Sequence, residues 1–266
     1  MATDHGTSKP KVLVTGASGL IGSLTIRDLS DKYEFSGLSR RPVVGIPHIQ
    51  ADISDLQAVR RACQGVDMVL HLAAETQDYD DWDRVMESTI GGALNVYRAA
   101  QEAGVWRVVF MSSGSTMCAY EWYEGSPYGK LAANQIDRLP PDTRMLTHTD
   151  PPRPDSFYAV GKLFGENTAR LFSDRYGMSV LCIRLGAVLA DDKPALVRHF
   201  PGYLAQADAV QMIDKCLGAP ASLKFDIFDA ISENSRRWRD TGHAKEVLGW
   251  RPNGSSDIFD PTDLQS

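Results

Sequence analysis

The sequence predicts an α/β fold in which a doubly wound parallel sheet is covered by helices on both faces. Short apolar, β-branched segments alternate with segments of helical periodicity over the first two thirds of the chain. The strand-like segments are apolar on both faces, which is typical of parallel strands enclosed by helices. A glycine-rich turn, Gly16–Gly22, separates the first strand-like segment from the first helical one, and this placement is typical of doubly wound sheets.

Each element is predicted by its own local pattern. Lys11–Thr15 is a short apolar run with β-branched residues that ends at a glycine, so it predicts a buried strand. Leu20–Leu29 has apolar residues at helical spacing and predicts a helix. By the same criteria the further strands are Glu34–Leu38, Ile49–Ile53, Asp67–Ala73, Arg107–Ser112, Val180–Leu185 and Lys224–Phe228, and the further helices are Leu56–Cys63, Trp82–Ala103, Phe157–Tyr176 and Ala205–Leu217.

The domain organisation follows from where this alternation holds. Residues 1–187 are expected to form a dinucleotide-binding Rossmann domain, interrupted by a long proline-rich loop over residues 118–154. Structureless loops of this length are usually functional. Residues 188–266 lose the alternation and predict a small C-terminal substrate-binding cap within one integrated unit.

Composition excludes several classes of protein. The chain has 266 residues and a net charge of −6, so a nucleic-acid-binding role is not expected. No apolar run approaches the ~18 residues of a membrane span, and the first eleven residues contain no signal-peptide stretch. The four cysteines are scattered and favour neither disulfides nor a metal site. We therefore expect a cytoplasmic protein that acts on a small molecule.

The glycine-rich turn predicts a site for a dinucleotide. Glycines permit the tight turn and the close approach of the backbone to a pyrophosphate, and the helix N-terminus offers unpaired N–H groups. A plain glycine-rich turn is the alternative, but the strand–turn–helix context favours nucleotide binding. The cofactor-binding residues predicted here are Gly16, Ser18, Gly19, Leu20, Ile21 and Gly22.

The end of the second predicted strand favours a phosphorylated cofactor. An NAD enzyme places a carboxylate there, whereas this chain has Ser39, Arg40 and Arg41. Guanidinium groups form planar, charge-assisted bonds with phosphate oxygens and suit a 2′-phosphate. A solvated basic turn is the alternative. The prediction is NADP, with NAD possible.

Tyr158 and Lys162 form a candidate acid–base pair. Their spacing of four places both side chains on one helix face. An adjacent ammonium favours the phenolate, so Lys162 is expected to lower the pKa of Tyr158 and make it a usable general base. The alternative is an ordinary pair of residues on a helix surface.

Ser113 is the third candidate catalytic residue. It follows a predicted strand at the carboxyl edge of the sheet, where ligands of such sheets bind. A serine hydroxyl can hydrogen-bond a substrate oxygen while Tyr158 moves the proton. Serine is also common at loop starts, which is the alternative.

In this order the motifs resemble the extended short-chain dehydrogenase/reductase superfamily over nearly the whole chain, with Asp52 after the third predicted strand and His71–Ala74 ending the fourth. The resemblance implies that Asp52 and Ile53 border the adenine and that the segment Leu72, Ala73 and Ala74 lines the cofactor cleft. It also implies that Ser113, Tyr158 and Lys162 are the catalytic residues, and that Tyr158 and Lys162 lie beside the cofactor.

Within that superfamily the chain is most similar to the uronate dehydrogenases, which oxidise a sugar acid at its anomeric carbon. This resemblance implies a substrate site formed by Thr76, Ser113, Gly114, Ser115, Tyr158 and Arg198, with Arg198 binding a carboxylate; an ordinary surface arginine is the alternative for Arg198. The sequence departs from the family pattern at Arg40, at Gly114 where an amide is common, at Ala187 where a polar contact is expected, and at Thr89 where asparagine is usual.

The expected function is therefore oxidation of a sugar or sugar acid to a lactone, with NADP preferred. One alternative is a nucleotide-sugar epimerase or dehydratase with tightly bound NAD, and another is a non-catalytic NADP-sensing regulator. The superfamily resemblance also implies a homodimer formed through the helix Trp82–Ala103. His71 is expected to end a core strand, and His48, His148, His199 and His243 have no metal-ligand partners at suitable spacing.

Overall fold

The computed structural model describes residues 8–264 and contains one seven-stranded parallel sheet. The strand order β3-β2-β1-β4-β5-β6-β7 places the crossover point between β1 and β4, which confirms the predicted doubly wound fold. The strands are β1 (Lys11–Thr15), β2 (Glu34–Ser39), β3 (His48–Gln50), β4 (Met68–His71), β5 (Arg107–Ser113), β6 (Ser179–Leu185) and β7 (Phe225–Ala230).

Helices cover both faces of this sheet. They are α1 (Leu20–Leu29), α2 (Leu56–Ala62), α3 (Trp82–Arg84), α4 (Gly92–Glu102), α5 (Pro127–Ala132), α6 (Phe157–Tyr176), α7 (His199–Gly202), α8 (Gln206–Leu217) and α9 (Gly242–Leu248). One buried apolar cluster lies between the sheet and α1 and α8, and a second lies between the sheet and α2, α4 and α6. The two clusters fix the sheet between two helical layers, as the two-faced apolar strands predicted.

Two predicted elements differ from those observed by more than one or two residues at their ends. The third strand is His48–Gln50 rather than Ile49–Ile53, because Asp52 turns the chain by accepting a hydrogen bond from the Ser54 N–H at 2.9 Å. The long helix predicted over Trp82–Ala103 contains a π-helical segment, Val85–Gly91, between α3 and α4. Such segments are frequent at functional sites.

The segment 118–154 is not the structureless loop that its prolines predicted. Ser126 caps α5 by accepting from the Gly129 N–H, and Pro127 occupies the first helical turn, where its missing N–H has no cost. A separate apolar cluster then fixes the segment to the rest of the fold. It consists of Met117, Tyr128, Leu131, Leu146 and Trp238.

The C-terminal portion contributes to the sheet as well as to its covering. β7 pairs with β6 along its whole length, and α8 packs on α1. The portion beyond residue 187 is therefore continuous with the sheet and helices of the preceding residues. Among residues 8–264, no helix combines the length and apolar character that crossing a bilayer requires.

Candidate active site

The glycine-rich turn packs closely on the backbone after β4 and on the first turn of α1. Gly16 has a φ of +72°, and a Cβ there would lie 3.0 Å from the Ala73 nitrogen. A Cβ at Gly22 would lie 2.8 Å from the carbonyl oxygens of Gly16 and Ala17. α1 begins after Gly19 without a side-chain cap, so the N–H groups of its first turn remain open for an anion.

A groove extends from this turn along the carboxyl edge of the sheet. Its lining includes most of the predicted cofactor residues: Gly16, Ser18, Gly19, Ser39, Arg40, Arg41, Asp52, Ile53, Ala73 and Ala74. Two segments that are distant in the sequence, the end of β2 and the residues after β4, thus form opposite sides of one groove.

Both arginines after β2 are exposed at this groove. The Arg40 Nε lies 4.0 Å from an Asp52 carboxylate oxygen, and the Arg41 Nη2 donates to the Ser18 carbonyl at 3.2 Å. The hydroxyl of Ser39 is already engaged, because it donates to the Arg41 carbonyl at 2.8 Å and lies 2.9 Å from His48 Nε2. Arg40 and Arg41 each have one of these contacts and keep further guanidinium N–H groups that can donate to a phosphate.

Seven predicted contact residues are absent from the lining of a space that was expected for them: Leu20, Ile21, Gly22, Leu72, Thr76, Tyr158 and Lys162. Leu20 is exposed and Ile21 packs on the core, so both can reach the groove only through their backbone N–H groups. Leu72 also packs on the core. Thr76, which was predicted to contact the substrate, lines the same groove as the glycine-rich turn, because the segment after β4 continues along that groove.

Ser113, Tyr158 and Lys162 come together at the carboxyl end of β5. Ser156 caps α6 by accepting from the Ala159 N–H at 3.2 Å, and this fixes the first turn of α6, which carries Tyr158. The Lys162 side chain is buried, donates to the Met111 carbonyl at 2.8 Å, and lies 5.3 Å from the centroid of the Tyr158 ring. Both side chains share one helix face, as the spacing predicted.

The pKa of Tyr158 does not follow the prediction. Burial raises it above its ordinary value, the neighbouring Tyr79 and Asp155 act in the same direction, and the Ser113 hydroxyl acts against them. Burial also lowers the pKa of Lys162 to about 7. The expected lowering of the phenol pKa by Lys162 is therefore wrong for this structure, because the amine is directed to a backbone carbonyl and is itself desolvated.

Tyr79 is a neighbour of Tyr158 that the sequence did not reveal. The two rings stack with centroids 4.9 Å apart, and the Tyr158 N–H donates to the Tyr79 carbonyl at 2.8 Å. The segment that carries Tyr79 is fixed from behind, because the Glu75 N–H donates to Thr89 in the π-helical segment at 3.0 Å. This contact gives a role to the unusual threonine on the long helix.

A second pocket, of about 480 Å³, opens beyond Ser113. It contains the predicted substrate residues Ser113, Gly114, Ser115 and Arg198, together with Ala187. Residues that were not predicted also line it, and they come from the segment 118–154 and from the turn before α9: Cys118, Glu121, Trp122, Trp238 and Arg239. No local pattern in the sequence marks these residues, because only the tertiary fold brings them to Ser113.

Gly114 is required by Arg239. A Cβ at Gly114 would overlap the guanidinium group of Arg239, which is buried and donates to Asp229 at 2.7 Å. The amide expected at this position by family resemblance has no space here. The departure at Gly114 therefore accompanies an arginine on the pocket wall.

Arg198 is paired within the chain. Its Nη2 lies 3.7 Å from Asp155 and 3.9 Å from Glu121, and both carboxylates are largely buried. Burial raises the pKa of Glu121 to about 7, against the opposing effect of the two arginines. Arg198 lies in the predicted pocket, but two carboxylates already face it.

Three residues without predicted partners form a cluster behind this pocket. His148 and His243 stack with centroids 3.9 Å apart, and His243 Nε2 lies 2.9 Å from Asp226. The predicted lack of metal-ligand partners is corrected by the fold, because ligand-type atoms of all three residues lie within 4.8 Å of one another. The rings are 16° from parallel, so their lone pairs lie in nearly parallel planes and not toward one point. The cluster joins the segment 118–154 to β7 and α9.

The family comparison agrees with this architecture. The model of the NAD dependent epimerase/dehydratase family matches residues 12–248. The chain belongs to this family. The match confirms the resemblance to the extended short-chain dehydrogenase/reductase superfamily and the predicted enzyme class, an NAD(P)-dependent dehydrogenase.

Individual family members are similar over nearly their whole length. An L-arabinose 1-dehydrogenase (NAD(P)(+)) of Haloferax volcanii is 31% identical over 92% of this chain and 97% of its own. An NAD-dependent glucose-6-phosphate dehydrogenase of the same organism is 30% identical over 93% of this chain and 95% of its own.

A solved structure of the family has the same fold. A single-residue mutant of the uronate dehydrogenase from Agrobacterium tumefaciens, complexed with NAD, has a TM-score of 0.80 at 27% identity. It covers 97% of this chain, and the match covers 91% of its own length. The names of these relatives include an uncharged sugar, arabinose, and two anionic ones, glucose 6-phosphate and a uronate. Their similarity therefore leaves the substrate class open.

Proposed function

We propose that the protein oxidises a sugar at its anomeric carbon to a lactone by hydride transfer to a nicotinamide dinucleotide. One observation carries the proposal: Ser113, which lines the second pocket, meets Tyr158 and Lys162 at the carboxyl end of β5, on the same edge of the sheet as the glycine-turn groove. The first space suits a dinucleotide and the second suits a small polyol. The named activities of the relatives support the same class of substrate.

The residues of the groove fit a dinucleotide. A Cβ at Gly16 or Gly22 would collide with neighbouring backbone, so glycine keeps this turn compact. The uncapped start of α1 offers N–H donors to a pyrophosphate. Asp52 and Ile53 would border the adenine, Ala73 and Ala74 would line the cleft, and Lys162 would hold the nicotinamide ribose. When bound, the cofactor supplies the hydride acceptor.

The chain's own residues handle the proton. Ser113 donates a hydrogen bond to the anomeric oxygen, and Tyr158 takes the proton from that hydroxyl as C1 gives up its hydride. The C1–O bond then becomes the lactone carbonyl. Loss of one proton and one hydride balances this two-electron oxidation. Because burial raises the pKa of Tyr158, alkaline solution is expected to favour oxidation.

NADP is the proposed cofactor, and NAD is a weaker one. Exposed Arg40 and Arg41 flank the groove where a 2′-phosphate would lie, and the strand end carries no carboxylate. The name of one relative includes both dinucleotides, and the solved relative holds NAD. The Arg40 contact with Asp52 is long and exposed, so a phosphate can compete for the guanidinium.

A homodimer in the cytoplasm is the proposed state. Trp82 and Phe157 pack edge to face with centroids 5.3 Å apart, and both remain close to half exposed, as do Met86 and Val160. These four side chains, from α3, the π-helical segment and α6, form an apolar surface suited to a second copy.

The proposed function is tested by incubating the purified protein with NADP or NAD and a panel of pentoses, hexoses and uronates at about pH 8. The expected result is a rise in absorbance at 340 nm with at least one sugar and a lactone product detected by NMR. Tyr158→Phe should lower kcat by roughly 100-fold or more, since it removes the proton acceptor. Tyr176→Phe, on the exposed end of α6, is the matched control. No NADPH or NADH with any sugar would contradict the proposal.

A further inference from the structure

The second pocket carries an excess of negative charge. Three carboxylates line it, those of Asp80, Glu121 and Asp155, against the guanidinium groups of Arg198 and Arg239. An anionic ligand therefore meets more like charge than opposite charge on entering, unless the two arginines are free to receive it.

Arg239 is not free. It is 4% exposed, its Nη1 donates to the Asp229 carboxylate at 2.7 Å, and that carboxylate is 1% exposed. A buried pair of this kind is costly to break, because each partner would be left as an uncompensated charge. The positive charge of Arg239 is thus balanced before any substrate arrives.

Arg198 is shared between two carboxylates. Glu121 and Asp155, each 12% exposed, flank its Nη2 at 3.9 and 3.7 Å. The Arg198 side chain is 54% exposed, so a substrate carboxylate or phosphate can reach it, but that anion then lies close to both of these carboxylates. A sugar hydroxyl meets no such repulsion, because ionised carboxylates accept hydrogen bonds from hydroxyl groups.

We propose that this pocket selects uncharged aldoses and discriminates against sugar acids and sugar phosphates, with Glu121 and Asp155 as the specificity-determining residues. The inference rests on the proposed function. It also separates this chain from the relatives whose names print a uronate or a sugar phosphate. Specificity of this type arises from repulsion of the wrong ligand as well as attraction of the right one.

The test uses sugars that differ only at C5. L-Arabinose, D-galactose, D-galacturonate and D-galactose 6-phosphate share their ring stereochemistry and carry hydrogen, hydroxymethyl, carboxylate or phosphooxymethyl there. D-Xylose, D-glucose, D-glucuronate and glucose 6-phosphate form a second series. At about pH 8, kcat/KM for the better uncharged member of the active series should exceed that of both anions by at least roughly tenfold.

Two variants test whether Glu121 and Asp155 cause this preference for uncharged sugars. Glu121→Gln should raise the ratio of galacturonate to galactose kcat/KM by roughly fivefold or more, and Asp155→Asn should act in the same direction. Glu124→Gln is the matched control, since Glu124 is exposed three residues away and does not line the pocket. Circular dichroism checks that each variant is folded, and Asp155→Asn serves if Glu121→Gln is not.

Each outcome bears on a different statement. Turnover of either anion at a kcat/KM equal to that of its uncharged counterpart would overturn the inference and leave the proposed function intact. An unchanged ratio in both folded variants would overturn the roles of Glu121 and Asp155. No turnover of any sugar in either series would overturn the proposed function, and the inference with it.

Discussion

At the level of single residues, the presence of glycine at position 114 is explained by the position of the Arg239 side chain. The missing side chain at position 114 makes space for a guanidinium that is buried against Asp229. Taken alone, Gly114 is a departure from a family pattern, whereas in the fold it is one half of a pair. The functional effect of a substitution in this pocket therefore depends on its non-local partner.

Arg40 should determine the choice of cofactor. Arg40→Ala is expected to raise the KM for NADP by roughly tenfold or more and to change the KM for NAD little, because a charge-assisted bond to the 2′-phosphate is lost. Arg61→Ala, an exposed arginine on α2, is the control. Steady-state kinetics with both cofactors measures the effect. An equal change for NADP and NAD would show that Arg40 is only a surface residue.

Glu121 should make stability depend on pH. Burial raises its folded pKa from 4.5 to about 7, so its contribution to stability is full below 4.5 and is lost as pH rises through about 7. Glutamine does not titrate. The free energy of unfolding of Glu121→Gln minus that of the wild type should therefore be larger at about pH 8 than at about pH 5, by at most roughly 3 kcal/mol. Urea unfolding at both pH values measures this difference. An equal gap at both would mean that the carboxyl has an ordinary pKa.

At the level of elements, a buried arginine stabilises the end of α8. Arg107 lies on β5, is 0% exposed, and its Nη1 donates to the carbonyls of Cys216, Leu217 and Ala219. Arg107→Met keeps much of the volume but leaves these carbonyls without the donor, so a loss of about 2–4 kcal/mol is expected. Chemical denaturation measures it, and Arg98→Met on exposed α4 surface should cost far less. A similar, small loss in both variants would show that water replaces the guanidinium.

The apolar surface across α3, the π-helical segment and α6 should be the dimer interface. Met86 is 41% exposed and lies four residues after Trp82 along the chain, and Met86→Glu places a charge in a surface that must be desolvated on association. Light scattering after size-exclusion chromatography should show a wild-type dimer and a monomeric variant. Val247→Glu, a similarly exposed residue on α9, should remain dimeric. A wild-type monomer would refute the proposed interface.

Local patterns explain which elements could be predicted. The Gly16–Gly22 turn and the Tyr158–Lys162 spacing depend on neighbours within one or two turns, so the sequence places them correctly. α5 was missed although Ser126 and Pro127 form a recognisable helix start, because the surrounding prolines favoured a loop. The π-helical segment has no signal of its own, and it serves to bring Thr89 to Glu75.

At the scale of the whole molecule, the two halves of the site, the glycine-turn groove and the second pocket, are formed by different segments of the chain. The glycine-turn groove is built from the turns after β1, β2, β3 and β4, whereas the second pocket depends on segment 118–154 and on the turn before α9. Glu121, Trp238 and Arg239 could not be predicted as site residues, because their proximity to Ser113 exists only after this segment packs on the C-terminal portion.

Weaker packing of segment 118–154 should impair the second pocket and leave the glycine-turn groove unchanged. Leu131 is 1% exposed in the cluster that holds segment 118–154, so Leu131→Ala should cost about 2–4 kcal/mol and raise the KM for the sugar several-fold. The Kd for NADP should stay unchanged, because no residue that lines the groove belongs to this cluster. Urea unfolding, sugar kinetics and calorimetric titration with NADP measure the three quantities, with Leu171→Ala, 53% exposed on α6, as the control. A parallel loss of NADP affinity would mean that the two halves are coupled through the sheet, and that the pocket cannot change independently of the groove.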